Sequence, residues 1–437
     1  MKTTPYWWDT ATEVVQTASQ PLRDVELCIV GSGYTGLSAA ITAAGRGAEV
    51  LVLDAQNPGE GASTRNGGMI GAPHRPGFVG ELKTYGEDLA SRLAREGDEA
   101  YAFSRDLYTG FDDQSEFRES GRIQFAYTLD HLSAMRERVE IMRKYTAQQV
   151  EIIERGALSQ HINSELYFGA LYYPDHGGLN PKAAHNNLLR RAVETGVTVC
   201  GNCPVLDIQR TATGFELKTS NGSVRARKLI VATNGYTTRA VSYMARRVFR
   251  IPSFMIATEE LPDETIRRVA PGMHMMVESR ARHSYFRPSP DGKRIIFGGR
   301  AALTPIGLEK AAGRLKETLT SIWPEASAWQ VSHCWSGFTG FTFARIPHVG
   351  EHDGLHFAMG YCGNGVALSP WLGHKVALQA LGEKEGDTAF SETRLETRSY
   401  HWGGAPWFMQ LANPWWRYVV DTLETRQAKR DQSTTVP

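Results

Sequence analysis

Cysteine is scarce in this chain, 5 in 437 residues, which is no basis for the disulfide framework of a small secreted domain. No apolar run approaches the roughly 18–20 residues that a membrane span needs. Neither sign of charge is in excess: 48 Lys+Arg face 47 Asp+Glu. That balance removes the electrostatic reason to expect nucleic acid or an anionic membrane surface as partner. The opening Met1-Lys2-Thr3-Thr4-Pro5 is polar and carries no apolar core of a secretory signal. There is no internal repeat and no low-complexity tract. Together these absences give the expectation of a cytoplasmic protein. The sequence leaves its oligomeric state open.

What is present points to more than one core. A chain of this length, 41% apolar, suggests about two domains. Residues 25–30 read as a short buried strand, followed by the turn Gly31-Ser32-Gly33-Tyr34-Thr35-Gly36 and a small-residue helix from 37 to about 46. Val50-Leu51-Val52-Leu53 reads as a second buried strand ending at Asp54, which completes a Rossmann-like βαβ start. Gly31 permits the tight turn, Gly33 lets the backbone approach a pyrophosphate, and Gly36 lets helix and strand pack closely. The helix N-terminus offers free N–H groups and partial positive charge to phosphates. Asp54, at the end of the second strand, is placed to accept hydrogen bonds from an adenosine ribose.

That turn does not separate FAD from NAD, but three further segments favour FAD. The loop Gly61-Ala62-Ser63-Thr64-Arg65-Asn66-Gly67-Gly68 is dense in glycine and donors. Leu229-Ile230-Val231-Ala232-Thr233-Asn234-Gly235 is a buried strand running into a turn. Gly360-Tyr361-Cys362-Gly363-Asn364-Gly365 leads into a helix expected from Ser369 to about Leu381, with Pro370 at its first position and Gly382 ending it. Asn180-Pro181 opens another helix as N-cap and first residue, closed by Gly196. Leu132, Met135, Val139, Met142 and Tyr145 recur at helical spacing and are expected to face a core.

At these residues the chain resembles the amine and D-amino-acid oxidase group of FAD enzymes, and within it the gamma-glutamylputrescine oxidase branch. The resemblance covers roughly 25–385. It implies an α/β plus α+β fold, a Rossmann-like FAD-binding domain interleaved with a substrate domain built on a large mixed or antiparallel sheet. The implied division is 1–24 as an extension, 25–80, 161–240 and 346–385 as the FAD domain, 81–160 and 241–345 as the substrate domain, and 386–437 as a second extension. Carried over residue by residue, Gly31, Gly33, Tyr34, Thr35, Gly36 and Asp54 hold the ADP half. Ala62, Ser63, Thr64, Arg65, Asn66 and Gly67 follow the pyrophosphate and flavin edge, Val205 meets the adenine, and Thr233 and Asn234 also bind the cofactor. Gly363, Asn364, Gly365, Val366 and Ala367 lie beside the flavin pyrimidine.

The sequence departs from the sarcosine oxidase pattern twice. The cysteine that tethers flavin there falls near Gly337 here, with Cys334 out of register, which implies non-covalent FAD. No lysine falls in register on the Arg294-Ile295-Ile296-Phe297-Gly298 strand, so oxygen or another electron acceptor fits the sequence. Substrate candidates are Trp335, Tyr285 and Arg287, with Arg300, Phe338, His74 and Arg75 further possibilities; each arginine could equally be a surface residue and Trp335 a core one. Cys200-Gly201-Asn202-Cys203 reads as structural thiols, Cys362 as a spacer or a redox group, and His348, His352 and His356 as a loop between strands, so no metal site is expected. Tyr6, Trp7 and Trp8 either pin the N-terminal segment down or form a substrate lid. The expected activity is oxidation of the carbon–nitrogen bond of a small primary or secondary amine substrate, an amino acid or gamma-glutamyl-amine-like molecule, to an imine that hydrolyses to a carbonyl product. A 2-hydroxy acid dehydrogenase, or a flavoprotein subunit of a hetero-oligomer, are the alternatives.

Overall fold

Two eight-stranded sheets organise the computed structural model, which describes residues 1–13, 15–72, 77–111 and 116–435. The first sheet is built on the parallel neighbours Thr198–Cys200, Val50–Leu53, Asp24–Val30, Gly222–Val231 and Leu355–Met359. These short strands are apolar on both faces, as a parallel sheet covered on both sides requires: Leu27, Cys28 and Ile29 are fully buried, as are Leu51, Val52 and Leu53. His348–His352 adds antiparallel to Leu355–Met359, so the three histidines lie on a hairpin. The hairpin Val205–Thr211 with Gly214–Thr219 extends from Gly222–Val231.

The second sheet runs Val331–Thr342, Val248–Thr258, Ile295–Gly299, Ser284–Pro288, Met275–Glu278, Arg122–Phe125, Gly169–Tyr173 and Glu151–Glu154. All its neighbours are antiparallel except Met275–Glu278 with Arg122–Phe125. Gly169–Tyr173 therefore belongs to this sheet, whereas the division implied by the resemblance assigns residues 161–240 to the FAD domain. The helix Leu308–Ile322 covers one face of the sheet with Ala311, Ala312, Leu315, Leu319 and Ile322, the apolar stripe of a helical period. Leu132, Met135, Val139 and Met142 face a separate core, while Tyr145 stays partly exposed and stacks on Phe78.

Both chain ends pack onto this body. Trp7 is fully buried beside Met255, Ile296 and Trp335. Near the other end, Ala428 joins the core under the second sheet, and Asp431 accepts from the Leu129 N–H.

The late helix differs from the expectation. It spans Gly365–Leu381, begins a full turn before Ser369, and contains Pro370 in its interior. A proline there removes the hydrogen bond to the carbonyl one turn back. That carbonyl, of Val366, instead accepts from the Tyr108 hydroxyl at 3.0 Å, so no acceptor is orphaned. Gly382, at φ +82°, ends the helix as expected of a left-handed cap. The helix packs on Tyr34–Gly45 at closest range at Gly373, where a Cβ would lie 2.3 Å from the Thr35 carbonyl oxygen. Ser38 Oγ donates to the Pro370 carbonyl at 2.6 Å across the same contact. Thr35 Oγ1 and the Tyr361 hydroxyl, 2.7 Å apart, bring the first turn of Tyr34–Gly45 beside the segment that leads into the late helix.

Candidate dinucleotide and substrate site

The Gly31–Gly36 turn is held from outside: the Ser32 and Tyr34 amides donate to the Asp54 carboxylate and to Ser63 Oγ. Gly31 has φ +105°, a conformation glycine adopts freely, and its N–H donates to the Leu53 carbonyl at 2.8 Å. At Gly36 a Cβ would stand 1.8 Å from the Gly31 oxygen, so only glycine lets the helix start so close to the strand. Gly36 itself lies behind the turn and does not line the cavity in front of it.

That cavity, about 370 Å³, passes between the two sheets. Gly31, Gly33, Tyr34, Thr35 and Asp54 line its first part, with Val205 and Cys203 nearby. Ala62, Ser63, Arg65, Asn66 and Gly67 continue it, then Thr233 and Asn234, and Gly363, Asn364, Gly365, Val366 and Ala367. Segments from the early, middle and late parts of the chain thus share one wall. Asp54 is oriented by Ser32, whose N–H and Oγ donate to Oδ2 at 2.8 and 2.6 Å, and by the Gln56 N–H at Oδ1. Oδ1 keeps a lone pair for a ribose hydroxyl. Ser63 Oγ accepts from the Tyr34 N–H at 3.0 Å and so joins the two glycine-rich loops. At Gly363, φ +103°, no protein atom lies within 4 Å of where a Cβ would stand. Two helix N-termini, a poised carboxylate and an open glycine-walled trough are the donor set and shape that an extended dinucleotide needs.

Several candidates act on the cavity from behind. Thr64 does not line it: the side chain is buried, donates to the Gly59 carbonyl and accepts from Trp8 Nε1. Arg65 lines it, but Nε donates to the Glu60 carbonyl and an NH group to the Ser336 carbonyl, with Trp8 stacked 4.7 Å away. Trp7 Nε1 donates to the Asn66 carbonyl at 2.8 Å. The N-terminal tryptophans therefore clamp the 62–66 loop. Asn234 Oδ1 accepts from the Gly360 N–H, tying the middle turn to the late one.

His185 contributes although the sequence did not single it out. Fully buried, it bonds the Ser32 carbonyl through Nε2 at 2.8 Å, and burial pushes its pKa down to about 4, so it stays neutral beneath the Gly31–Gly36 turn.

Two of the three substrate candidates need correction. Trp335 is fully buried, does not line the cavity, and donates Nε1 to the Arg65 carbonyl at 2.9 Å. Arg287 is also buried off the cavity, its guanidinium spent on the carbonyls of Gly68, Leu179 and Pro288. Both lock the 65–68 loop rather than face a ligand. Tyr285 does line the cavity, its hydroxyl 2.8 Å from Ser253 Oγ. Burial holds its phenol above the usual tyrosine range, so it stays protonated at neutral pH. Arg300 and Phe338 also line the cavity, whereas His74 and Arg75 lie outside the described residues. The same end carries Arg122, Ser253, Val277 and His283, none of them flagged by sequence. They sit on or beside strands whose pairing is non-local, and no local motif marks them.

The cysteines stand apart from this end. Cys334 Sγ points to the Leu308 carbonyl, on the face of its strand opposite Gly337, which lines the cavity. Cys362 lines the cavity with its thiol on the Gly360 carbonyl. Cys200 and Cys203 are free and buried, and burial raises the Cys200 thiol to about 11, far from a reactive thiolate. Among the described residues no helix is long and apolar enough to cross a membrane.

Comparison with known proteins agrees with this architecture. The chain is 28% identical to gamma-glutamylputrescine oxidoreductase of Escherichia coli K12 over 373 residues, 84% of this chain and 86% of the relative. It is 27% identical to a probable oxidoreductase, OrdL, of Haemophilus influenzae, over 89% of this chain and 91% of the relative. The crystal structure of glycine oxidase from Geobacillus kaustophilus superposes with a TM-score of 0.72 at 20% identity, covering 87% of this chain and all of that one. The family model described as DAO, FAD dependent oxidoreductase, matches residues 26–379. By that match the chain belongs to the DAO family of FAD-dependent oxidoreductases.

Proposed function

We propose that this enzyme oxidises the carbon–nitrogen bond of a small primary or secondary amine to an imine, which water converts to a carbonyl product and ammonia or an amine. The observation that carries this reading is the charge make-up of the cavity. Among the described lining residues the one carboxylate is Asp54, at the ribose end, and there is no lysine. The substrate end thus offers no acid strong enough to hold an ammonium, and it suits a neutral amine. A neutral amine supports loss of the adjacent hydride with its own lone pair and needs no protein base. Bound FAD supplies the two-electron acceptor. Tyr285, Ser253 and Arg300 orient the substrate, and Trp335 and Arg287 act by fixing the 65–68 loop. The relatives named for gamma-glutamylputrescine and glycine place amines and amino acids within reach of this fold. FAD is held non-covalently in this reading, since Cys334 lies across the sheet from Gly337.

His283 favours one second reading, oxidation of a 2-hydroxy acid, because an alcohol must lose its hydroxyl proton to a base and His283 lines the substrate end. Anaerobic mixing of the FAD-loaded protein with panels of amines and hydroxy acids separates the two. Bleaching by amines with release of ammonia or an amine is expected; faster bleaching by a nitrogen-free hydroxy acid would overturn the amine reading.

Asp54 offers a direct check on the cofactor end. Asp54→Ala is expected to weaken FAD binding by about 1–3 kcal/mol, because the ribose donors lose a charged acceptor and the Ser32 amide loses its partner. Equilibrium titration of the apoprotein with FAD measures this. Unchanged affinity would show that the acid does not meet the ribose.

A further inference from the structure

Arg122 opens the strand Arg122–Phe125, whose alternate residues Ile123 and Phe125 are fully buried under the sheet, so Arg122 stands on the cavity face. Its guanidinium lies 5.8 Å from the centre of the Tyr173 ring. Its Nε is buried without a hydrogen-bond partner, and the titratable side chains that act on it are Tyr173 and Arg138, with no carboxylate among them. The neighbouring His176, stacked on Tyr173 at 4.7 Å, is kept neutral by burial and by Arg122 itself. A guanidinium cannot shed its charge at any ordinary pH, so this wall of the cavity is a preformed site for an anion.

Its position sets the length of what binds. Tyr285 is fixed beside the 65–68 loop, since a Cβ on Gly67 or Gly298 would meet its ring at 3.1 and 2.3 Å. Across the sheet Tyr285 pairs with Val277, and Val277 with Gln124, the next residue but one after Arg122. Strand spacing and rise then put the Arg122 backbone about 12 Å from that of Tyr285. The Arg122 guanidinium sits against Tyr173, on the strand beyond Arg122 from Tyr285, so side-chain reach does not close that gap, and an α-amino acid, whose carboxylate is bonded to the amine-bearing carbon itself, is too short to occupy both places.

We propose that Arg122 anchors a substrate carboxylate remote from the reacting carbon–nitrogen bond, which makes the preferred substrates extended amino carboxylates. The carboxylate part stands on Arg122 alone, and only the reacting end rests on the amine reading above. The test uses the FAD-loaded protein and inert ligands: straight-chain carboxylates from acetate to hexanoate and the matching primary amides, titrated by their perturbation of flavin absorbance. In the wild type the longer carboxylates are expected to bind on the order of 10- to 100-fold tighter than their amides. Arg122→Gln should erase that preference while FAD content stays unchanged. Should Arg122→Gln fail to fold, Arg122→Lys decides, because it keeps the charge without the fork and should lower carboxylate affinity while sparing the amides. A preference that survives in Arg122→Gln, or in full in Arg122→Lys, and disappears in Arg300→Gln overturns the proposal. If amines fail to bleach the flavin yet the carboxylate preference follows Arg122, the amine reading falls and this site stands.

Discussion

Gly36→Ala is expected to give a colourless protein that no longer retains FAD through gel filtration. The added methyl would sit 1.8 Å from the Gly31 carbonyl oxygen and 3.5 Å from the Ile29 side chain. The closest obstacle is backbone, so it cannot be relieved by a rotamer change. Helix Tyr34–Gly45 must move away from strand Asp24–Val30, and with it the N–H groups proposed to meet the pyrophosphate. Overpacking of this kind costs about 1–3 kcal/mol or more, and a shift of the amides proposed to bind phosphate adds to it, so FAD affinity should fall by at least about 100-fold. The control is Gly45→Ala near the end of the same helix, where a Cβ would meet nothing within 4 Å. That change should leave FAD affinity unaltered and raise stability by a few tenths to about 1 kcal/mol. FAD affinity by fluorescence titration and thermal melting measure both. A yellow Gly36→Ala protein with wild-type affinity would mean that the turn does not bind the cofactor in the way its geometry suggests.

The second large effect concerns pH. If the substrate reacts as the neutral amine, the rate of anaerobic flavin bleaching at subsaturating substrate should rise about tenfold per pH unit while pH lies below the substrate amine pKa. The sign follows from the cavity: deprotonation of the amine creates the reactive form, and no described lining carboxylate at the substrate end stabilises the ammonium. Tyr285 does not reverse the trend, because burial moves its phenol above the ordinary tyrosine range and it stays neutral through the working window. Deuterium on the carbon next to nitrogen should slow the same phase by several-fold, since breaking that C–H bond sets its rate. Stopped-flow absorbance with protiated and deuterated substrate reads both. A flat pH profile between about 7 and 9 would exclude the neutral-amine requirement, and His283→Gln would then become the informative variant.

The nucleotide end was legible in the sequence because its determinants are local. A buried strand, Gly31, Gly33 and Gly36, a small-residue helix, a second strand and Asp54 follow one another in a single short stretch, and each position has a steric or electrostatic reason that holds in any context. The same is true of Asn180, whose side chain accepts from the Lys182 and Ala183 N–H groups as an N-cap should. The local rule failed at Pro370. A proline normally marks a first helical turn, and only the hydroxyl of Tyr108, from a distant and much earlier helix, makes an interior position acceptable.

The substrate end was decided by tertiary structure. Arg122, Arg287 and Trp335 are alike in sequence, each a strand residue of suitable chemistry. Their fates diverge because strand pairing turns Arg122 toward the cavity, while Arg287 is saturated by the Gly68 and Leu179 carbonyls and Trp335 by that of Arg65. Residue type and alternation fix which side chains share a face of one strand; they carry no information on which distant loop will cover that face. Arg122–Phe125 pairs in parallel with Met275–Glu278, and the intervening chain contributes strands to both sheets before it returns. A substrate-end side chain becomes a binding group only where such long-range pairing leaves it facing the open cavity, and that condition is a property of the folded chain alone.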